Sequence, residues 1–401
     1  MQRRGEGIVM SKKRANNEGT IRQHASGLWE ARFTAGYDVA GKQIRKSLYA
    51  NTKAEVSKRL REALRALERG ELVEPSDMTV AEWLDTWFKV YGRPRWRDST
   101  AAEHYRNIQK NLKPKLGRHK LQRLRHEHIQ DYVNQQAAKG RASASIKKQL
   151  EPLRASLKQA VINNLIIKDP SLHLALPSTP AREIQFLTID EQRKLIGVLP
   201  DTTSGRALHF VLGTGVRASE LCGLRWMDIE GDRFTIRNAV QRVVNLDRKL
   251  GEPKYKTSSA PPKTKAGLRT IPLTDSMTDL LQKQQEAQRL ERIKAGSAWT
   301  GDQPAKGGTF VFANELGGAI DRANLGRVLR ICLDKAGVKR VGIHALRHTF
   351  ATNCVRAGVD VRTLSEMIGH TKIAFTLQQY VHTNLNTMRE ALQAVDGLRG
   401  F

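Results

Sequence analysis

Three short stretches carry side chains suited to chemistry on a phosphate ester. They are TGVRASEL at 214–221, HALRHT at 344–349, and IGH at 368–370, with Tyr380 ten residues later in TLQQYVH at 376–382. Breaking a phosphodiester without hydrolysis needs a nucleophile that the protein keeps. A tyrosine hydroxyl suits this, because its attack leaves a phosphotyrosine that a free hydroxyl can later reverse. Its ordinary pKa of about 10 means that a strongly positive surround would help it ionise. Arg217 and Arg347 would supply that charge, since planar guanidinium forks bracket phosphate oxygens better than Lys does. His344 lies one helical turn before Arg347 and would face the same site. The other tyrosines stand at 37, 49, 91, 105, 132 and 255.

These residue types admit other chemistries. His344 and His348 are four apart, a metal-ligand spacing on a helix, but a zinc peptidase motif needs Glu after the first His and Ala345 stands there. No carboxylate cluster offers a two-metal site. The expectation is catalysis with no metal, nucleotide or other cofactor. Glu220 reads as a structural partner for a buried Arg or a helix, His348 as a satisfied core histidine, and His382 as peripheral.

The elements that position these residues follow from pattern and charge. The chain has 401 residues, with 68 Lys plus Arg against 40 Asp plus Glu, a formal net charge of +28. Residues 1–72, 73–180 and 181–401 carry +8, +9 and +11. Each part could therefore touch a polyanion, and nucleic acid is the leading partner. Three cysteines without a CxxC pair exclude a disulfide framework and point to a reducing, intracellular compartment. No apolar run reaches membrane-span length, and the basic N-terminus lacks the apolar stretch of a secretion signal.

The pattern gives an α+β multidomain chain. Residues 1–18 read as a disordered basic lead. Residues 19–72 read as a small three-stranded sheet plus a helix that opens on a Thr52–Glu55 capping box. A β-ribbon bearing Arg and Lys can enter a DNA major groove. The candidates on this module are Arg22, Trp29, Arg32, Arg45 and Lys46. Residues 77–175 read as an all-helical bundle, opened by a capping box at Thr79–Glu82, with Trp83, Trp87, Phe88 and Tyr91 at helical spacing and assigned to its core. A Pro-rich connector follows. Residues 183–401 read as mainly helical with a small antiparallel sheet, a strand-like piece at 309–312 and a last helix at about 385–394.

The ordered set of motifs resembles the tyrosine recombinase (phage integrase) family, and the three-part layout resembles its lambda-type members over nearly the whole chain. That resemblance implies an arm-type DNA-binding module at 19–72, a core-binding domain at 77–175 and a catalytic domain at 183–401. It implies that His344 acts as general acid/base, that His370 holds a phosphate oxygen, and that Tyr380 forms a 3′-phosphotyrosyl link. The family's β-hairpin Lys, which protonates the leaving 5′ oxygen, is expected in 262–272; Lys263 is the first choice and Lys265 its rival. The implied partners are double-stranded DNA with core-type and arm-type sites, a homo-tetramer on synapsed DNA, a directionality factor and a host DNA-bending protein, with no membrane. The setting is the bacterial cytoplasm, at the nucleoid, in a phage or conjugative transposon. Two other functions stay in view: DNA relaxation of the type IB topoisomerase kind, and a non-catalytic DNA-binding regulator.

Overall fold

The computed structural model describes residues 19–37, 41–68, 75–178, 185–262, 264–302, 308–369 and 393. Lys263, His370, Tyr380, His382, the basic lead at 1–18 and the helix expected at 385–394, Gln393 apart, lie outside those residues. The chain divides into two compact units near residue 180, with residues 97–102 belonging to the second.

The first unit opens with β1 (Thr20–Gln23), β2 (Trp29–Tyr37) and β3 (Gln43–Ala50), antiparallel in that order. Cross-strand pairs Ile21 with Ala31 and Ala31 with Leu48 put one row of apolar side chains on one face. Helix α1 (Lys53–Glu68) covers that face through Val56 and Leu60, and Ala31 and Phe33 are buried beneath it. Half of the expected capping box forms. Thr52 Oγ1 accepts the Glu55 N–H at 3.2 Å, but the Glu55 carboxylate turns to Arg59 at 2.7 Å.

A helical bundle follows: α2 (Val80–Trp87), α3 (Asp98–Asn107), α4 (Lys113–Leu116), α5 (His126–Ala138) and α6 (Ser143–Ile162). Single π-helical turns at Phe88–Gly92 and Ile108–Leu112 continue α2 and α3. The Thr79 capping box is complete: Thr79 Oγ1 accepts from the Glu82 N–H, and the Glu82 carboxylate accepts from the Thr79 N–H. Trp83 and Trp87 are buried, and the Trp83 indole donates to the Ser156 carbonyl at 2.9 Å. These aromatics are core, and Leu150, Leu153 and Leu157 of α6 close the same core.

The second unit contains α7 (Ile189–Val198), α8 (Thr203–Thr214), α9 (Ala218–Leu221), β4 (Ile229–Glu230), β5 (Arg233–Ile236), β6 (Ala239–Val244), β7 (Tyr255–Ala260) and β8 (Arg269–Pro272). Its described helices continue with α10 (Asp275–Ala295), α11 (Arg322–Ala336), α12 (Ile343–Arg356) and α13 (Val361–Ile368). Thr188 and Glu191 form a second full capping box at the head of α7. Phe210, Phe234 and Phe312 meet at the centre of the core, ring centres 5.2 and 5.5 Å apart. The fold is mostly helical with small antiparallel sheets, as expected.

Four details differ from the sequence reading. The small antiparallel sheet is two sheets: β4-β5-β8, and a β6-β7 ribbon. Residues 255–260, in a polar stretch without strand patterning, form β7, whose half-buried row is Lys256, Ser258 and Ala260 and whose exposed row is Tyr255, Thr257 and Ser259. The segment 262–272 is no hairpin among its described residues, because β7 pairs with β6 while β8 pairs with β5. It joins the two sheets through a 3₁₀ turn at Lys265–Gly267. The piece at 309–312 makes a single isolated bridge, from Phe310 to Arg225, rather than a strand. No helix among the described residues is long and apolar enough to cross a membrane.

Candidate active site

Arg217, His344 and Arg347 come from the turn before α9 and from the first turns of α12, 127 residues further along the chain, and all three line one cleft of about 630 Å³. Gln241 and Ser258, cross-strand partners on the β6-β7 ribbon, form another wall. Thr264 and Gly267, from the link that holds Lys263 and Lys265 in sequence, also line it. Lys263 itself, His370 and Tyr380 lie outside the described residues.

The two motif glycines have geometric reasons. Gly215 ends α8 at φ +67°, and a Cβ there would sit 2.3 Å from the Phe350 ring. Gly369 ends α13 at φ +65°, where a Cβ would meet the Ala266 carbonyl at 2.8 Å. Both positions need left-handed backbone and close approach, which glycine alone meets without strain.

Those glycines free carbonyls that the arginines take. Arg347 is 1% exposed; its Nη1 donates to the Gly215 carbonyl at 2.8 Å and its Nη2 donates to the Ile368 carbonyl. Arg217 donates through Nη2 to the Gly369 carbonyl at 3.0 Å and through Nη1 to Glu220 at 2.7 Å. The Arg217 backbone N–H caps α9 by donating to the same carboxylate at 2.9 Å. Glu220 is thus the structural partner its position suggested. Burial pushes its carboxyl up, but the Arg269 and Arg217 guanidinium groups outweigh that and hold it below the usual range.

The histidines sit in a positive pocket. Burial lowers the His344 pKa first, with Arg347, Arg217 and Arg322 adding to the shift. Its ring is therefore neutral at neutral pH and able to take up a proton. His348 meets it edge-on at 4.6 Å, and burial pushes His348 down to about 4, with His344 and Arg347 contributing. Among the described residues no group of three or more His, Cys, Asp or Glu is placed to hold a metal ion.

The five candidates on the N-terminal sheet do not share a face. The register pairs Arg22 with Glu30, Arg32 with Ser47 and Thr34 with Arg45, so Arg22, Arg32 and Arg45 lie on the face away from α1. Lys46 pairs with Phe33 on the opposite face. Trp29 packs against the module's core, with Lys53 5.5 Å over its ring. The sequence reading missed Glu30, which is 1% exposed at the centre of the polar face. It accepts from Arg22 at 2.6 Å, Arg32 at 3.1 Å, Ser47 at 2.7 Å and Tyr49 at 3.2 Å. Hydrogen bonds from Ser47 and Arg22, the strongest influences, bring its carboxyl down to about 2.

Comparison with known proteins supplies the family. Residues 185–387, just over half the chain, match the model of the phage integrase family, and residues 79–136 match that of the phage integrase N-terminal SAM-like domain. A tyrosine recombinase XerC-like protein of Caldanaerobacter subterraneus subsp. tengcongensis is 33% identical over 376 residues, covering 91% of this chain and 95% of that protein. An integrase of Streptomyces ambofaciens is 25% identical over 401 residues, covering 97% and 98%. Among solved structures, the Tn1549 transposon integrase in complex with a circular intermediate DNA superposes with a TM-score of 0.63 at 21% identity, covering 79% of this chain and 99% of that one. A lambda integrase dimer bound to a COC′ core site gives 0.55 at 16% identity, covering 94% and 97%; at these identities both speak to the fold. With a family match over half its length and a relative of this identity along nearly all of it, the chain belongs to the phage integrase family of tyrosine recombinases and is a site-specific recombinase.

Proposed function

We propose that this recombinase cuts and rejoins DNA through a 3′-phosphotyrosyl intermediate on Tyr380, as the integrase of a phage or conjugative transposon. The observation that carries the reading is the convergence of Arg217, His344 and Arg347 on one cleft, with both arginines bonded to the backbone that leads into His370 and Tyr380. The guanidinium groups bracket the non-bridging oxygens of the scissile phosphate and neutralise charge in the pentavalent transition state. Neutral His344 accepts the tyrosine proton, and His370 donates a hydrogen bond to a phosphate oxygen. Tyr380 Oη bonds to phosphorus as the bond to the 5′ oxygen breaks, and Lys263 protonates that oxygen. Attack by the partner duplex's 5′ hydroxyl reverses the step. The bond energy stays in the phosphotyrosine, so strand exchange needs no ATP.

The remaining roles follow the same reading. Residues 77–175 hold core-type sites, and 19–72 hold arm-type sites through Arg22, Arg32 and Arg45. Two protomers occupy inverted half-sites, and two such duplexes synapse as a tetramer. An arm-binding module is useful only where DNA is bent back to the core, which gives a host DNA-bending protein and a directionality factor their places. The test is incubation with nicked DNA spanning the element's own junction, in EDTA. A detergent-stable, protease-sensitive adduct at the 3′ end is the expected result. Specific binding with no adduct, or relaxation of a plasmid without paired sites, would overturn it.

The leaving-group acid has its own test. Replacing the bridging 5′ oxygen by sulfur gives a thiolate leaving group of pKa about 8.5, which departs without a proton. Lys263→Ala is expected to slow cleavage of ordinary DNA about 10²–10³-fold, the usual worth of a positioned acid, and to cleave the sulfur-bridged DNA at near the unmodified protein's rate. Lys265→Ala should cleave both substrates normally; the reverse pattern would move the role to Lys265.

A further inference from the structure

The cleft's arginines and α13 are joined by a residue that no motif singled out. Arg269, the first residue of β8, has a side chain 7% exposed that makes four hydrogen bonds. Its Nε donates to the Met367 carbonyl at 2.6 Å. Its Nη2 and Nη1 grip the two Glu220 oxygens at 2.9 and 3.2 Å. Nη1 also donates, at 3.2 Å, to the carbonyl of Gly267, the last residue of the 3₁₀ turn that begins at Lys265.

A pattern emerges at the end of α13. Three consecutive carbonyls there, of Met367, Ile368 and Gly369, accept from three arginines on three separate elements: Arg269, Arg347 and Arg217. Last-turn carbonyls lack helical partners and carry the negative end of the helix dipole, so cations bind them well. Two of the three arginines share Glu220 as a common counter-charge. A buried carboxylate bridging two guanidinium groups fixes the spacing between them, because charge and geometry must both be satisfied in a low-dielectric site. Gly369 completes the contact, since its missing Cβ leaves room for the Arg269 guanidinium, which a side chain there would meet at 2.9 Å.

From this we infer that Arg269 is a positioning residue for strand cleavage: through Glu220 it sets Arg217, and through the Met367 and Gly267 carbonyls it fixes the end of α13 relative to the lysine-bearing turn. The chain runs from that end directly into His370 and on to Tyr380. The inference rests on the phosphotyrosine reading, since it assigns Arg269 to arranging that reaction's groups. Arg269 itself touches no reacting atom.

The experiment separates DNA affinity from the chemical step. Arg269→Met and Arg269→Lys are compared with the unmodified protein for equilibrium binding to a core half-site and for single-turnover cleavage of a nicked substrate. Tyr380→Phe serves as the blank. Met keeps the aliphatic stem and loses every donor. It is expected to slow cleavage about 100-fold, the scale of a small displacement of reacting groups, with affinity changed less than threefold. Lys restores the charge beside Glu220 but cannot span the carboxylate and both carbonyls, and should recover about tenfold of that loss. A general loss of fold would lower affinity and cleavage together and would not be graded by the Lys variant.

Cleavage by Arg269→Met within threefold of the unmodified protein would overturn the inference, as would equal losses of affinity and rate. If the Met variant does not fold, the Lys variant decides. About tenfold slower cleavage at unchanged affinity supports the positioning role, and an unaltered rate removes it. Absence of an adduct from the unmodified protein would overturn the phosphotyrosine reading and this inference with it, whereas an adduct there with full activity in both variants overturns this inference alone.

Discussion

Tyr380→Phe is expected to bind core DNA with unchanged affinity and to form no covalent adduct, a fall of at least about 10⁴-fold in cleavage. The change removes one oxygen, and that oxygen is the group proposed to bond to phosphorus. No positive charge or ring surface is lost, so phosphate contacts are kept. The surroundings of the other tyrosines make them poor substitutes. Tyr132 is buried in the bundle, donates to Gln149 at 2.8 Å, and is pushed up to about 12 by burial. Tyr91 accepts from Asn163 at 2.8 Å, and Tyr255 lies beneath the Arg242 guanidinium at 4.5 Å. Gel separation of the detergent-denatured mixture, before and after protease, reads the result. An adduct that persists in the Phe variant would mean that another hydroxyl is the nucleophile.

The parts of this molecule that were legible in its sequence are those set by local rules. The boxes at Thr79 and Thr188 join residues three apart, so the residue types sufficed. The Thr52 box half-failed because Arg59 lies one turn beyond Glu55 and competes for it. Strand β7 was missed because Tyr255–Ala260 has no apolar alternation; it is held by its ladder to β6 rather than by burial. The site was legible as motifs, yet the bonds that organise it were not. Glu220 and Arg269 are 49 residues apart and meet only when β8 has paired with β5 and brought its first residue against α13. On the N-terminal sheet, adjacent Arg45 and Lys46 must point to opposite faces by strand geometry. Which of them joins Arg22 and Arg32 depends on the cross-strand register. Glu30 was passed over because a lone carboxylate in a basic segment gives no hint that four donors converge on it.

Arg347→Lys carries the second large effect and tests the buried half of the cleft. The guanidinium joins two carbonyls that belong to different helix ends, Gly215 after α8 and Ile368 at the end of α13, while it lines the cleft. An ammonium is a point donor on a flexible stem and cannot hold both carbonyls at once while presenting a planar edge to a phosphate. Single-turnover cleavage is expected to fall about 10²–10³-fold, the cost of losing one preorganised donor to a developing oxyanion. Stability should fall by about 1–3 kcal/mol as well, because one buried carbonyl loses its donor and a strongly hydrated cation takes its place. The two effects are separable. Thermal or urea unfolding of the full chain reports the second, and cleavage at saturating DNA well below the midpoint reports the first. Neighbouring charge gives a further sign to check. Arg347 is the second cause, after burial, of the low His344 pKa, and the Lys variant keeps a positive group there. His344 should therefore remain neutral at pH 7, and the lost activity should not return on raising the pH. Recovery of the rate at high pH would show that the arginine acts chiefly by tuning the histidine, whereas a loss that persists across the pH range places its action on the phosphate.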